Sequence, residues 1–404
     1  MDQILDPSSL EAGHIAYLRS VPAAVEALDM HGMADVVNAL VVALLTEGHV
    51  LLEGNPGLGK TALVRALSSA LGLGKQAVGR VQFTPDLMPA DITGTQMPAD
   101  DGSGRLDFRP GPVFCSLLLA DEINRATPKT QSAMLEAMAE YQVTVLGKTY
   151  PLRHWRDAGR ESYRTPFMVM ATQNPIDQEG TYALPEAQSD RFMFKINLSM
   201  PGADVMARII AKALKPLDGP QQRPATVDDP VQVAAAGARL HEIAQSVLSV
   251  DLSPLVRDHI NNLVQASNRH FDQLRGMSPA RVTRLRELVE RRVTYPLGPR
   301  AGMALARAAV AWAAVVLVEP AQAAHATAAQ VPRALAEILV PVLRHRIRIS
   351  HDYAAMATPH AEAAALDDFI RELATACAPD GPATGNYVED FGNFLDRARR
   401  DIRL

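Results

Sequence analysis

Apolar and polar positions change their rhythm near Met200. Before it, short apolar runs alternate with helical patterns. His49-Val50-Leu51-Leu52-Glu53, Arg80-Val81-Gln82-Phe83, and the runs 113–120, 167–171 and 192–198 have the length and content of buried strands. The run 113–120 is apolar except at Ser116, which suits a central parallel strand covered on both faces. Leu63, Ala66, Leu67, Ala70 and Leu71 share one helical face, and Gly72 stops that pattern. Thr127-Pro128 reads as an N-cap with proline in the first turn of a helix reaching about Glu140. Strands alternating with helices predict an α/β fold, a doubly wound parallel sheet. Residues 1–34 read as helical.

After Pro201-Gly202 the strand signals stop. The stretches 205–214, 231–247, 253–269, 281–292 and 301–317 read as helices, which predicts a C-terminal all-α domain. Beyond Ser350, 361–376 and 387–400 read as two more helices, joined by the Pro- and Gly-rich stretch 379–385. The expected division is 1–200 for the α/β domain, 201–350 for the helical domain and 351–404 for a helical tail. Tyr387, Phe391, Phe394 and Leu395 share one face of the last helix, which suits packing on the helical domain or on a partner.

Composition narrows the class. The chain has 404 residues, 48% of them hydrophobic, enough for a large core. Its net charge of −5 disfavours nucleic acid as the main partner. Cys115 and Cys377 are too few for a disulfide framework or a zinc site, and Cys115 falls inside a predicted core strand. No basic segment followed by an apolar run opens the chain, so a cytoplasmic location is expected. The longest apolar run, 308–318, is about half the roughly 20 residues of a membrane span and reads as a buried helix rather than a span.

The chemistry lies in two motifs. Gly54-Asn55-Pro56-Gly57-Leu58-Gly59-Lys60-Thr61 matches G-x-x-x-x-G-K-[ST] at every fixed position, between a predicted strand and a predicted helix. Glycines let the backbone curl so that several N–H groups face one phosphate, and the helix N-terminus behind adds its positive dipole end. Lys60 reaches the terminal phosphates, and the Thr61 hydroxyl is a Mg²⁺ ligand. In the second motif the apolar run ending at Ala120 meets Asp121-Glu122. Asp121 suits the metal's water shell and Glu122 a general base for an attacking water. A kinase, whose acceptor is a substrate hydroxyl, does not need that base, so the pair points to hydrolysis of ATP.

With these motifs the chain resembles the MoxR family of AAA+ ATPases. The resemblance rests on Gly48 through the P-loop, Arg80-Val81-Gln82-Phe83-Thr84-Pro85-Asp86-Leu87, Asp91-Ile92-Thr93-Gly94 and Phe108-Arg109-Pro110-Gly111-Pro112-Val113. It continues in Leu119-Ala120-Asp121-Glu122-Ile123-Asn124-Arg125-Ala126, Ala171-Thr172-Gln173-Asn174-Pro175 and Leu184-Pro185-Glu186-Ala187-Gln188-Ser189-Asp190-Arg191-Phe192. It implies a P-loop AAA+ sheet with a helical lid and assigns roles that spacing alone does not. Asn174 falls on the sensor 1 position, where an amide orients water. Arg191 falls on the arginine-finger position, reaching a neighbouring subunit's nucleotide. Arg300, in Gly298-Pro299-Arg300-Ala301, best fits the lid arginine called sensor 2; Arg281, in Gly276-Met277-Ser278-Pro279-Ala280-Arg281, is a competing copy.

The resemblance further implies ATP and Mg²⁺ as ligands, a homo-oligomeric ring, normally a hexamer, and partners carrying von Willebrand factor A domains, with a chaperone-like role in maturation or metal insertion. It places hairpins at 91–108 and 142–150. A nucleic-acid-directed motor and a magnesium-chelatase-like motor are the alternatives. The stretch 151–164, with four arginines, Trp155 and Tyr163, departs from the family pattern and reads as a solvated loop or protein contact, less well as a single-strand binder. The basic run Arg344-His345-Arg346-Ile347-Arg348 is expected to face a subunit interface.

Overall fold

The computed structural model describes residues 12–54, 57–99, 106–158, 161–173, 182–213, 229–319, 323–350, 359–381, 386–402 and 404. Their contacts form two compact units. One holds Tyr17–Pro185 and Ile196–Ala244; the other holds Glu186–Lys195 and Gln245–Leu404, with the first helical residues. This grouping differs from the expected cut at 200, because a ten-residue piece around Arg191 joins the helical unit and 201–244 joins the sheet unit. The tail from 351 joins the helical unit rather than standing apart.

The sheet unit begins with α1 (Ala12–Glu26) and α2 (Ala34–Leu45), the latter buried over most of its length. The strands β1 (Val50–Gly54), β2 (Val78–Gln82), β5 (Leu117–Asp121), β10 (Met168–Gln173) and β11 (Phe194–Leu198) form one sheet in the order β11-β1-β10-β5-β2. β1 with β10, β10 with β5, and β5 with β2 are parallel, so this is the α/β sheet the pattern predicted. Its central strands are apolar on both faces, as strands covered on both sides must be. α3 (Lys60–Ala70) follows β1, and Gly72 ends that helix region at φ +70°. β5 starts only at Leu117; the chain turns through 112–116, which puts Cys115 in a turn rather than in the strand. Burial pushes the Cys115 thiol up to about 12.

Between β2 and β5, α4 (Pro89–Thr93) leads into the hairpin β3 (Gly94–Pro98) and β4 (Leu106–Pro110). After α5 (Pro128–Glu140) comes the hairpin β6 (Gln142–Val145) and β7 (Lys148–Pro151). Its tip, Leu146-Gly147, has positive φ at both residues, the mirror-image turn that matches strand twist. The turn expected at 100–104 in the first hairpin lies outside the described residues. Phe108 and Tyr150 stack across the two hairpins with centroids 3.9 Å apart.

The stretch read as a solvated loop is a third hairpin, β8 (Trp155–Ala158) and β9 (Glu161–Arg164). Tyr163 is buried against α8 (Pro230–Leu248), so closely that a Cβ at Gly237 would sit 2.4 Å from its ring. Trp155 stays exposed, edge-on to His241 at 5.4 Å. Arg153 pairs with Glu47 at 2.5 Å, so this arginine serves packing. α7 (Ala203–Ala213) completes the unit.

The helical unit contains α6 (Glu186–Ser189), α9 (Pro254–Ser267), α10 (Pro279–Arg292), α11 (Pro299–Trp312), α12 (Ala323–Leu343), α13 (Pro359–Cys377) and α14 (Tyr387–Asp401). It also carries one short antiparallel pair, β12 (Val293–Tyr295) with β13 (Arg348–Ile349). α12 packs against α11, α13 and α14. α11 passes into a π-helical turn, Ala313–Leu317, just after the fully buried Trp312, whose indole donates to Glu337 at 2.6 Å. Pro299–Leu317 is long and apolar enough to cross a membrane, and most of it is buried in the unit. Tyr387, Phe391 and Leu395 of α14 are buried within the unit, which answers the tail question in favour of packing on the chain itself.

Two buried histidines stitch elements together in their neutral form. His49 donates from Nε2 to the Met138 carbonyl at 3.0 Å and accepts the Val169 N–H at Nδ1 at 3.0 Å. His259 faces the Ala374 carbonyl at 2.8 Å and the Tyr387 hydroxyl at 3.1 Å. Burial lowers each pKa to about 4. The unfolded histidine titrates near 6.5, so between about 4 and 6.5 the unfolded chain binds more protons. The stability that each neutral histidine contributes is therefore full above pH 6.5 and is lost as pH falls toward 4, by about 1.4 kcal/mol per pH unit per group. Melting temperature measured from pH 7.5 to 4.5 should hold level and then drop below about 6.5. His259→Gln should melt lower at pH 7.5 but show a shallower acid slope; an unchanged slope would exclude His259 as a contributor.

Candidate functional site

The glycine loop leaves β1 at Gly54 and enters α3 at Lys60. Gly57 and Gly59 have φ of +85° and +77°, a region that side chains with a Cβ rarely adopt. At Gly54 a Cβ would lie 2.8 Å from the Leu198 carbonyl oxygen, so only glycine lets β1 pass β11 here. Gly59 caps α3 without a side chain, which leaves the first-turn N–H groups of the helix for a ligand. Lys60 donates to the Gly54 carbonyl at 2.8 Å. Burial pushes its ammonium below the usual lysine range, opposed by the carboxylates of Asp121, Glu122 and Glu53. Thr61 stands half-buried in the first turn and Leu58 half-buried in the loop. Asn55 and Pro56 lie outside the described residues.

Asp121 ends β5 and Glu122 follows in the left-handed region at φ +55°, ψ +50°. A non-glycine residue held there stores strain of about 1 kcal/mol or more, which the surroundings must offset. They do so through Thr172 of β10, whose Oγ1 accepts the Glu122 N–H at 2.9 Å and donates to Asp121 Oδ1 at 2.8 Å. Arg80 donates to Asp121 Oδ2 at 2.9 Å. Glu122 Oε2 accepts from Arg125 at 2.9 Å and from Gln82 at 3.1 Å. Gln173 holds Glu53 at 2.7 Å. The result is a charged cluster at one end of the parallel sheet: an ammonium, three carboxylates and the guanidinium and amide groups that orient them.

Of the expected site residues, the structure brings Gly54, Gly57, Leu58, Gly59, Lys60, Thr61, Asp121 and Glu122 together in the sheet unit. Asn174 lies outside the described residues. Arg191 and Arg300 belong to the helical unit. Arg191 is half-buried; its neighbour Asp190 pairs instead with Arg346 at 2.9 Å. Arg300 is exposed at the start of α11. Arg281 is committed elsewhere, donating to Asp380 at 2.5 Å and to the Thr375 and Ala376 carbonyls, so it ties α10 to the end of α13. The basic run at 344–346 is a further correction: all three side chains are buried and bonded inside the helical unit, not presented outward.

Sequence reading missed Thr172, Arg80, Gln82 and Arg125. A signal existed for two of them. Arg80 and Gln82 stand two apart on a strand and so share a face, beside the strand that ends in the acidic pair.

Residues 49–194 match the family described as "ATPase family associated with various cellular activities (AAA)". The chain is 40% identical over 250 residues to YeaC of Bacillus subtilis, covering 62% of this chain and 71% of that one. It is 36% identical over 323 residues to Chaperone MoxR1 of Mycobacterium tuberculosis, 80% of this chain and 73% of the other. It is 31% identical over 329 residues to Protein MoxR of Paracoccus denitrificans, 80% of this chain and 86% of the other. A solved structure of an ATPase candidate from Cytophaga hutchinsonii superposes with a TM-score of 0.65 at 30% identity, covering 89% of this chain and 96% of that one. A parallel sheet with a glycine loop and an acidic strand end, a helical C-terminal part, and relatives of this name and extent agree: the chain belongs to the MoxR family of AAA+ ATPases.

Proposed function

We propose that the chain binds ATP with Mg²⁺ on the 54–61 loop and hydrolyses it at the junctions of a homo-oligomeric ring, a hexamer, to remodel partner proteins in the cytoplasm. The observation that carries this is the placement of Lys60, Asp121 and Glu122 at one end of the sheet, with Glu122 fixed in a strained backbone by Thr172. The glycine cradle, the helix start without a side-chain cap and the half-buried ammonium fit a polyphosphate. The donor set, the Thr61 hydroxyl and the Asp121 carboxylate, fits a hard cation. Bound there, magnesium would neutralise phosphate charge and orient the leaving group.

The chain's own groups then have distinct tasks. Lys60 pairs with the terminal phosphates. Glu122 takes the proton of the attacking water, and Arg125 and Gln82 hold its carboxylate meanwhile. Asn174 orients that water. Arg191 stabilises charge on a neighbour's nucleotide, and Arg300 reads the nucleotide of its own chain. The relative named Chaperone MoxR1 supports a chaperone-like task; a partner with a von Willebrand factor A domain follows from the family resemblance alone.

Mixed rings test the trans arrangement. A finger is worth about 10³–10⁵ in rate, so Arg191→Ala alone should be nearly inactive, as should Glu122→Gln alone. Mixed in equal amounts, about a quarter of the junctions join an intact base to an intact finger, and up to that share of wild-type ATPase should return. Absence of rescue in rings shown by mass to be mixed would defeat the trans finger.

A further inference from the structure

The piece that carries Arg191 is short. α6 ends at Ser189 and β11 begins at Phe194, so the carbonyls of residues 190–193 lie outside both elements. Such carbonyls need donors from elsewhere when buried. Nearly all of those found come from the last turn of the α12 region. Arg346 Nε donates to Asp190 Oδ1 at 2.9 Å. Its Nη2 donates to the Asp190 carbonyl at 3.2 Å and the Phe192 carbonyl at 2.5 Å. Its Nη1 donates to the Met193 carbonyl at 3.2 Å and the Val342 carbonyl at 2.7 Å. Every N–H of the guanidinium is spent, four of them on the backbone and carboxylate either side of residue 191. His345 Nε2 donates to the Phe192 carbonyl at 2.8 Å, and Arg344 to the Lys195 carbonyl at 3.3 Å.

Arg346 is only 5% exposed. Removing this guanidinium alone would leave the Asp190 carboxylate and four backbone carbonyls without these donors. Unlike a single hydrogen bond, five donors in one planar fork also fix the path of residues 190–193. The positive charge of Arg300, also in the helical unit, opposes that on Arg346.

We propose that Arg346, with Asp190, is a positioning residue for Arg191: it fastens the finger piece to the helical unit and so fixes the group a chain offers its neighbour. The proposal rests on the reading of Arg191 as a finger in trans.

The test is complementation in mixed rings with Arg346→Lys, which keeps the charge but cannot span the same carbonyls. Alone, it should lose about 10²-fold in kcat, with KM for ATP within about twofold of wild type, because its own binding loop is intact. Mixed with Glu122→Gln it should recover to the level that Arg191→Ala reaches in the same mixture. Mixed with Arg191→Ala it should not recover, since both chains then lack a usable finger. Wild-type kcat, or no rescue by Glu122→Gln where Arg191→Ala is rescued, overturns the proposal. If Arg191→Ala itself is not rescued, the finger reading has failed instead. Asp190→Asn, which preserves size, runs the same series should Arg346→Lys not assemble. Loss of the cooperative melting transition in both variants would assign the pair to stability and likewise overturn a positioning role.

Discussion

Lys60→Ala is expected to abolish nucleotide binding. Lys60 is the cation at the centre of a cluster with Asp121, Glu122 and Glu53, and each of those carboxylates favours its charged form. Without the ammonium, an entering triphosphate meets three carboxylates and the glycine loop's N–H groups, while Arg80 and Arg125 are already paired with Asp121 and Glu122. A hydrogen bond to a charged group is worth about 1.5–3 kcal/mol, and the uncovered repulsion adds to it. A loss of about 3 kcal/mol or more weakens binding at least about 10²-fold. Titration calorimetry with ATP and magnesium reads this directly, and thermal melting without nucleotide should change little because the group is only half-buried. Affinity within a few-fold of wild type would mean the loop holds no phosphate.

How much of this was legible in the chain depended on whether a residue's local pattern and its final surroundings agreed. The glycine loop agrees with itself: positive φ at Gly57 and Gly59 and the tight passage at Gly54 are demands that only glycine meets, so the motif and the geometry are one statement. The acidic strand end is similar, since β5 is apolar on both faces until Asp121. Reading failed where charge misled. The arginines of 344–346 were expected at a subunit interface, yet they are buried within the chain and donate to backbone carbonyls. The polar stretch 151–164 looked like a loop, yet Tyr163 anchors it as a hairpin on α8. α12 escaped because Pro332 and Pro341 interrupt it and its apolar residues run all round, and α2 has no polar face to set a period. Thr172 could not be assigned from its neighbours at all: one buried hydroxyl in a strand matters here only because β10 lies beside β5.

Glu122→Gln should separate binding from chemistry. The substitution keeps the shape of the side chain and leaves intact what holds its backbone, the Thr172 hydroxyl and the left-handed conformation. The amide oxygen can still accept from Arg125 and Gln82, which now bond a neutral group. Lys60, the glycine loop and Asp121 are untouched, and one negative charge near the phosphates is gone, so ATP should bind as tightly as in wild type or more so. An amide cannot take a proton from water at neutral pH, and loss of a general base costs about 10²–10⁴ in rate. Equilibrium binding together with single-turnover hydrolysis distinguishes the outcomes. Turnover within tenfold of wild type would remove Glu122 from the chemistry. Lost binding would recast it as a structural anchor for β5. Tight binding without turnover is the outcome expected of a base, and it leaves the protein loaded with ATP, the state best suited to capturing a partner.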